Sequence, residues 1–501
     1  MTVTTTDPRT GETSDTGIAE TTSEGVAALA AASESAFRTL RRRPRAWRSG
    51  LLRALADGLE ADRELLVTTA LAETGLAEPR LSGELSRSIF QLRLFADAVD
   101  DGGYLEAIVD HAGQTPIGPG PDVRRMLVPI GPVAVFGASN FPFAFSVAGG
   151  DTASALAAGN TLIVKAHGSH PLTSARSFAA LQRAARAHGA PDGTLGIVFG
   201  QRAGAALVAD PRVRAVGFTG SLATGRILLD IIDGREAPIP FFGELSSLNP
   251  LIVTPGAAGA RGAEIADGLF LSFTGSGGQL CTKPGIAFVP ASADALVDAI
   301  VARAQEADAQ TLLNDRIHGA FDEIRRRLIE EGRARSLAAP RAGGPGYAST
   351  PAVLEIDAAS LTPAATEEAF GPLLLIVRYD SLADVVGALS AVPDSLTATI
   401  HGEPDEAEQI AELTEAVRDL VGRVVYNGYP TGVRVSWGMH HGGPWPATNT
   451  QHTSVGVTAV RRFLRPLAWQ DAPEFVLPPE LRDGEVDVPR RVDGVLHLAR
   501  S

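Results

Sequence analysis

Among 501 residues there is a single cysteine, Cys281, in the run Gly275-Ser276-Gly277-Gly278-Gln279-Leu280-Cys281-Thr282-Lys283-Pro284-Gly285. A thiolate is the strongest nucleophile a side chain offers near neutral pH, and flanking glycines let a substrate or a second group come close to it. In another setting the same residue is only a small buried hydrophobe. Two further residues can give the thiol a reaction to run. Asn140, in Ser139-Asn140-Phe141-Pro142, belongs to a strand-to-helix loop, from which a side-chain amide can donate to a developing oxyanion. Glu244 directly follows an apolar run, where a carboxylate can act as a general base. Each has an ordinary alternative as a turn residue or a solvated acid.

The chain must bring these three distant points together. Between about residues 26 and 99, apolar residues recur at spacings of three and four, broken near Pro44 and Gly75, which predicts a helical preamble with no chemistry of its own. Segments 104–110 and 123–128 read as a long hairpin around Gly118-Pro119-Gly120-Pro121. Strands at 133–137, 161–165, 194–199, 213–218 and 239–243 then alternate with helices at 143–158, 173–188, 204–209 and 223–233. Short apolar strands alternating with helices predict an α/β fold, a parallel sheet covered on both faces in the Rossmann-type class. A second α/β set follows Glu244, with strands at 251–253, 286–289, 353–356 and 373–377. The expected organisation is a mobile tail (1–25), a cofactor-binding domain (26–103 and 129–244), a catalytic domain (245–437), and a hairpin arm with a C-terminal docking and oligomerisation segment (104–128 and 438–501).

Composition narrows the function. With 58 acidic against 44 basic residues the formal charge is −14, which argues against a nucleic-acid partner; the run Arg41, Arg42, Arg43, Arg45, Arg48 reads as a solvated surface. One cysteine allows no internal disulfide and suits a reducing cytoplasm. The apolar stretch 125–165 is cut by Pro129, Pro132, Gly137, Pro142, Gly149, Gly150 and Gly159, too often for a membrane span. Adjacent His440 and His441 on an extended segment point to opposite faces, and no carboxylate or cysteine near them in sequence completes a ligand set, so no metal site is expected.

Six short motifs in one order resemble the aldehyde dehydrogenase superfamily: Ser139-Asn140-Phe141-Pro142, Ile163-Val164-Lys165, Gly217-Phe218-Thr219-Gly220-Ser221, Phe242-Gly243-Glu244-Leu245-Ser246-Ser247-Leu248-Asn249-Pro250, Gly278-Gln279-Leu280-Cys281-Thr282 and Glu367-Glu368-Ala369-Phe370-Gly371-Pro372. They span roughly residues 128–463. The resemblance implies that Cys281 attacks the aldehyde, that Asn140 with the Cys281 N–H holds the oxyanion, and that Glu244 activates the water that opens a thioester. It also implies cofactor roles. Lys165 would meet the adenosine ribose, with Gly200 and Gly204 lining the adenine site. Phe218, Gly220 and Ser221 would form the phosphate turn, and Glu368 with Phe370 would hold the nicotinamide end.

Many NAD-dependent relatives carry an acid three positions after the lysine; here Gly168 stands there, and Arg202 can meet a 2′-phosphate, so NADP is expected, with NAD possible. Ser246-Ser247, Tyr429-Pro430-Thr431-Gly432-Val433 and His441-Gly442-Gly443-Pro444-Trp445-Pro446-Ala447-Thr448 resemble the branch containing α-ketoglutaric semialdehyde dehydrogenase, which oxidises 2,5-dioxopentanoate to 2-oxoglutarate. That branch also holds fatty-aldehyde dehydrogenases of luminous bacteria. Phe145 is expected to face the substrate tunnel and Arg434 to meet a substrate carboxylate. The competing classes are a CoA-acylating relative, which typically lacks the carboxylate base, and a non-catalytic binding protein of the same fold. The expected partners are a small aldehyde and further copies of the chain, as a homodimer or homotetramer.

Overall fold

The structure, a computed structural model, describes residues 1–341, 343–484 and 486–499. Strands Phe241–Glu244, Ala215–Thr219, Val133–Phe136, Leu162–Lys165 and Leu195–Val198 lie side by side in that order, all parallel. Side chains alternate across a strand, so Val133 and Val135 enter one core while Ala134 and Phe136 enter the other. The first core is closed by helices Arg45–Ala61, Glu78–Asp101 and Pro171–Ala187, through Leu52, Leu55, Leu85, Leu92 and Leu181. The second is closed by helices Gln201–Ala209 and Leu222–Asp233, through Leu207, Val208, Leu228 and Ile232. Helical breaks fall at Pro44 and at Gly75, the latter left-handed at φ 64°.

The second sheet has seven strands: Arg335–Ala338, Ala352–Asp357, Leu373–Tyr379, Ile286–Pro290, Pro250–Val253, Ser395–His401 and Val421–Tyr426, parallel except for the first pair. Helices Pro255–Thr274 and Asp294–Glu306 cover one face, burying Ile265, Leu269, Phe273, Leu296 and Ile300. In the third sheet Val123–Pro129 pairs with Ala107–Asp110 on one side and Leu464–Gln470 on the other. Among the described residues, no helix is long and apolar enough to cross a membrane.

Three expectations change. The segment expected to be a mobile tail forms an antiparallel pair, Thr2–Thr6 with Thr13–Ala19, anchored by Thr5 donating to Glu73 (2.8 Å) and by Thr21 N–H donating to the Phe199 carbonyl (2.9 Å). The β-branched run Thr2-Val3-Thr4-Thr5-Thr6 favours the extended state there. The expected 143–158 helix starts only at Gly150: the Phe145 carbonyl accepts from the Ala138 N–H (2.8 Å) rather than from a helical N–H, and the Phe143 and Ala144 N–H groups donate to Glu84 Oε1 (2.7 and 2.9 Å). The stretch 438–463, expected with the arm, folds back onto the Glu244 strand: Thr448 bridges Glu244, and Leu245 N–H donates to the Ala447 carbonyl (2.8 Å).

Candidate active site

The strand Phe241–Glu244 ends at the carboxylate, the Cys281 loop enters from the second sheet, and the segment after 438 closes the group with a histidine. His441 Nε2 lies 3.0 Å from Glu244 Oε1 and 3.6 Å from Cys281 Sγ. Ser454 Oγ donates to Glu244 Oε2 at 2.6 Å. His441 Nδ1 is buried without a partner among the described residues, so the ring proton that can serve the site is the one on Nε2. That proton is within reach of both the carboxylate and the sulfur.

Burial raises the Cys281 thiol well above its ordinary range, and the Glu244 carboxylate adds to the shift. Burial alone would raise Glu244 too, but His441, Ser454 and Cys281 outweigh it and bring the group down to about 2. The resting pair is therefore a protonated thiol beside an ionised glutamate. When Glu244 takes the thiol proton, His441 Nε2–H can turn from the carboxylate to the new thiolate, so negative charge on either atom keeps a donor.

Each loop is held by groups outside the reacting set. Asn249, in the left-handed region at φ 57°, donates through Nδ2 to the carbonyls of Cys281 (2.8 Å) and Lys283 (2.9 Å). The buried Lys283 ammonium donates to the carbonyls of Ala369, Gly371 and Leu373 (2.9, 3.2 and 3.1 Å), tying the cysteine loop to the Glu368 segment; burial lowers it to about 8. Gly278 (φ 68°) lets the two segments touch, since a Cβ there would stand 2.3 Å from the Gly371 carbonyl. Behind the Asn140 loop, Arg80 donates to the Asn140 carbonyl (2.7 Å) and to Ser276 Oγ (2.8 Å), and pairs with Glu84 (2.6 Å). Asn140 Nδ2 donates to the Gln279 carbonyl at 2.9 Å, which places its amide beside the cysteine loop. Among the described residues the Cys281 N–H has no backbone acceptor, leaving it free for a substrate oxygen.

Of the residues expected to bind a cofactor, most stand at strand ends and helix starts of the first sheet, and Glu368 stands beside Ser246. Lys165 ends its strand, and its ammonium is disfavoured first by burial and then by Arg316, so an anion there would relieve both. Gly204 lets helix Gln201–Ala209 approach closely, since a Cβ would lie 3.1 Å from Phe136 and 3.3 Å from the Lys165 stem. Beside Gly168 a Cβ would meet nothing within 4 Å. Gly200 takes φ 98° as it enters the helix. Ser221 caps Leu222–Asp233, accepting from Thr224 N–H, so that helix N-terminus faces the place expected for a pyrophosphate. Glu368 accepts from Ser246 Oγ (2.5 Å) and Ser247 N–H (3.0 Å), and burial raises it. Phe370 is half-buried two residues on. The open space at Gly168, the helix N-terminus and the strained Lys165 together suit a dinucleotide.

Some residues stand elsewhere. Phe218 is core, its ring packed between Phe136 and Phe241 at 5.9 and 5.8 Å; Gly220 stays small because a Cβ there would strike that ring at 2.7 Å. Arg202 and Arg434 are exposed. Phe145 faces the reacting group, its ring 6.3 Å from that of His441. Cys281, His441 and Glu244 offer ligand atoms within 4.8 Å of one another, so the expectation that nothing near His441 completes a donor set is corrected: the chain fold supplies what sequence proximity does not. Sequence reading missed His441, Ser454, Arg80 and Glu84. Only Glu84 left a signal, as an acid on the buried helical stripe Leu81, Leu85, Ser88, Leu92.

A half-buried thiol beside a glutamate and a histidine, with an asparagine amide bonded to the cysteine loop and a Rossmann-type sheet behind them, suits an oxidoreductase that works through a cysteine adduct. The chain matches the aldehyde dehydrogenase family over residues 1–450, and it belongs to that family. It is therefore an enzyme that oxidises an aldehyde with a nicotinamide cofactor. It is 43% identical over 469 residues to α-ketoglutaric semialdehyde dehydrogenase 2 of Azospirillum brasilense, covering 92% of this chain and 89% of that one. With the α-ketoglutaric semialdehyde dehydrogenase of Acinetobacter baylyi it shares 40% over 458 residues, covering 90% and 87%. Among solved structures, NADP-dependent glyceraldehyde-3-phosphate dehydrogenase of Bacillus halodurans, complexed with NADP, superposes with TM-score 0.79 at 22% identity, covering 94% and 96% of the two chains.

Proposed function

We propose that the protein oxidises 2,5-dioxopentanoate to 2-oxoglutarate through a thioester on Cys281, with NADP as the preferred cofactor. The observation that carries the chemistry is the convergence of Cys281, Glu244 and His441, with the Asn140 amide beside them. The similarity to two α-ketoglutaric semialdehyde dehydrogenases over about nine tenths of the chain supports the substrate.

Glu244 takes the thiol proton and His441 Nε2–H shields the thiolate, which adds to the aldehyde carbon. The Cys281 N–H and the Asn140 amide receive the oxyanion. A bound nicotinamide supplies the hydride acceptor. Collapse of the oxyanion leaves a thioester; Glu244, once it has released the thiol proton to solvent, accepts a proton from water as hydroxide adds to the thioester carbonyl, and returns it to the departing Cys281 thiolate as the carboxylate product leaves. The presence of Glu244 disfavours transfer to CoA. No step needs a metal; an ion on Cys281, His441 and Glu244 would cap the nucleophile.

The open space at Gly168 and the positive Lys165, Arg316 and Arg202 at the adenosine end support NADP, while Glu20, whose carboxyl carbon would lie 3.3 Å from a Cβ on Gly200, works in the opposite sense. Exposed Ile117, Phe475 and Leu498 on the arm and tail (99, 81 and 77% accessible) support assembly into a homodimer or homotetramer. The lone cysteine, free and unpaired, supports a cytoplasmic setting.

The test is a kcat/KM series over 2,5-dioxopentanoate, succinic semialdehyde, glutaraldehyde and long aliphatic aldehydes. The proposal expects 2,5-dioxopentanoate to lead; a clear preference for long aliphatic aldehydes would overturn it in favour of a fatty-aldehyde dehydrogenase.

A further inference from the structure

Helix Glu78–Asp101 turns one face toward the Asn140 loop, and Arg80, Glu84 and Arg87 share that face at spacings of four and three. The first two are satisfied. Glu84 Oε1 accepts from the Phe143 and Ala144 N–H groups and Oε2 pairs with Arg80, whose other nitrogens hold Ser276 and Asn140. Arg87 has no such partners. Its Nε and Nη2 are buried, and no described residue accepts from them.

The surroundings say what that guanidinium faces. Its carbon lies 5.2 Å from the centre of the Phe145 ring and 5.9 Å from that of Phe141. The Phe145 ring is 6.3 Å from the His441 ring, and His441 Nε2 is 3.6 Å from Cys281 Sγ. An unpaired cation thus stands on the aromatic wall that leads to the nucleophile. Ring faces stabilise a guanidinium only in part, and its planar fork matches a carboxylate. Burial lowers the Arg87 pKa, and the charges of Cys281, Glu84 and Glu244 oppose that shift. Neither other arginine considered offers the same. Arg423 spends Nη2 and Nη1 on the carbonyls of Pro430 (2.7 Å) and Gly432 (3.2 Å), leaving only Nε without an acceptor, and Arg434 is exposed.

We propose that Arg87 binds the carboxylate of the substrate, an ω-oxo acid whose aldehyde end is presented to Cys281. The proposal rests on the semialdehyde reading above and gives it a recognition element. A fatty aldehyde in the same tunnel would leave Arg87 without an acceptor, so the residue selects against apolar chains as well as for acids.

The experiment compares 2,5-dioxopentanoate, 5-oxopentanoate and pentanal with the wild type, Arg87→Met and Arg87→Lys. Arg87→Met is expected to lower kcat/KM for both acids by about 100-fold or more, mainly through KM, as for loss of one partner of a buried charge pair. Pentanal is expected to keep its kcat/KM or gain, and Arg87→Lys to restore part of the acid activity. A parallel fall for acids and pentanal would make Arg87 a structural residue and overturn the assignment. So would an unchanged acid-to-pentanal ratio, with the semialdehyde reading left intact. If the wild type favours 5-oxopentanoate over 2,5-dioxopentanoate and Arg87→Met still collapses the acid ratio, the named substrate falls while Arg87 stands. A wild type that favours pentanal over both acids overturns both.

Discussion

The thiol group and the expected adenosine end differ in how far the chain satisfies its own polar groups. At the thiol end almost every charge is spoken for: Glu244 accepts from His441 and Ser454, Asn249 clamps two carbonyls of the cysteine loop, and Lys283 binds three more. At the adenosine end Lys165 is disfavoured by burial and by Arg316, Gly168 borders open space, and Arg202 is exposed. The contrast follows from the chemistry each end serves. Reacting atoms must already be in place when substrate arrives, whereas a dinucleotide brings its own charge and hydrogen-bond acceptors. Arg87, with two buried nitrogens that find no acceptor among the described residues, is the charged group that departs from this at the thiol end, which is why it points to a ligand.

The largest effect that can break this comparison is Glu244→Gln. It should lower turnover by roughly 10²–10⁴-fold, because thioester hydrolysis loses its base. The same change removes the negative charge that helps to raise the thiol, so the resting variant should react faster with iodoacetamide near pH 7. Slower or unchanged alkylation would mean that Glu244 does not set the thiol's state. His441→Ala should act in the opposite sense on the thiol. Without the Nε2–H donor, the alkylation profile should move to higher pH and kcat/KM should drop about 10–100-fold. An unmoved profile would reduce His441 to packing.

How much of this was legible in the sequence tracks the same divide. Most sheet strands were readable as short apolar runs bounded by glycine or proline, though Arg335–Ala338 and Val421–Tyr426 were not, and Cys281, Glu244 and Asn140 stood out through residue type and order. His441 was not readable as an active-site group, since it approaches Glu244 only after the chain folds back over nearly 200 residues, through the Thr448 bridge. Arg80 and Glu84 were hidden in a helix whose apolar spacing gave no hint that its other groups hold the Asn140 loop. Phe218 was misplaced for the converse reason. Its motif neighbours line the phosphate turn, but strand alternation sends its ring inward.

The smallest expected effects lie at the adenosine end, where contacts are solvated. Arg202→Ala should cost NADP about 3–10-fold in kcat/KM and leave NAD unchanged, as for loss of an exposed charge pair. Glu20→Gln should shift the ratio a few-fold toward NADP by removing the negative charge beside Gly200. A wild type that prefers NAD and does not respond to Arg202→Ala would remove the cofactor preference.

The most direct test of the central claim is a rapid-quench experiment on Glu244→Gln with 2,5-dioxopentanoate and NADP. The account predicts a burst close to one equivalent of reduced cofactor per active site, with the acyl group recovered by mass spectrometry on the peptide containing Cys281. Steady turnover without an adduct, or an adduct on any other residue, would contradict it.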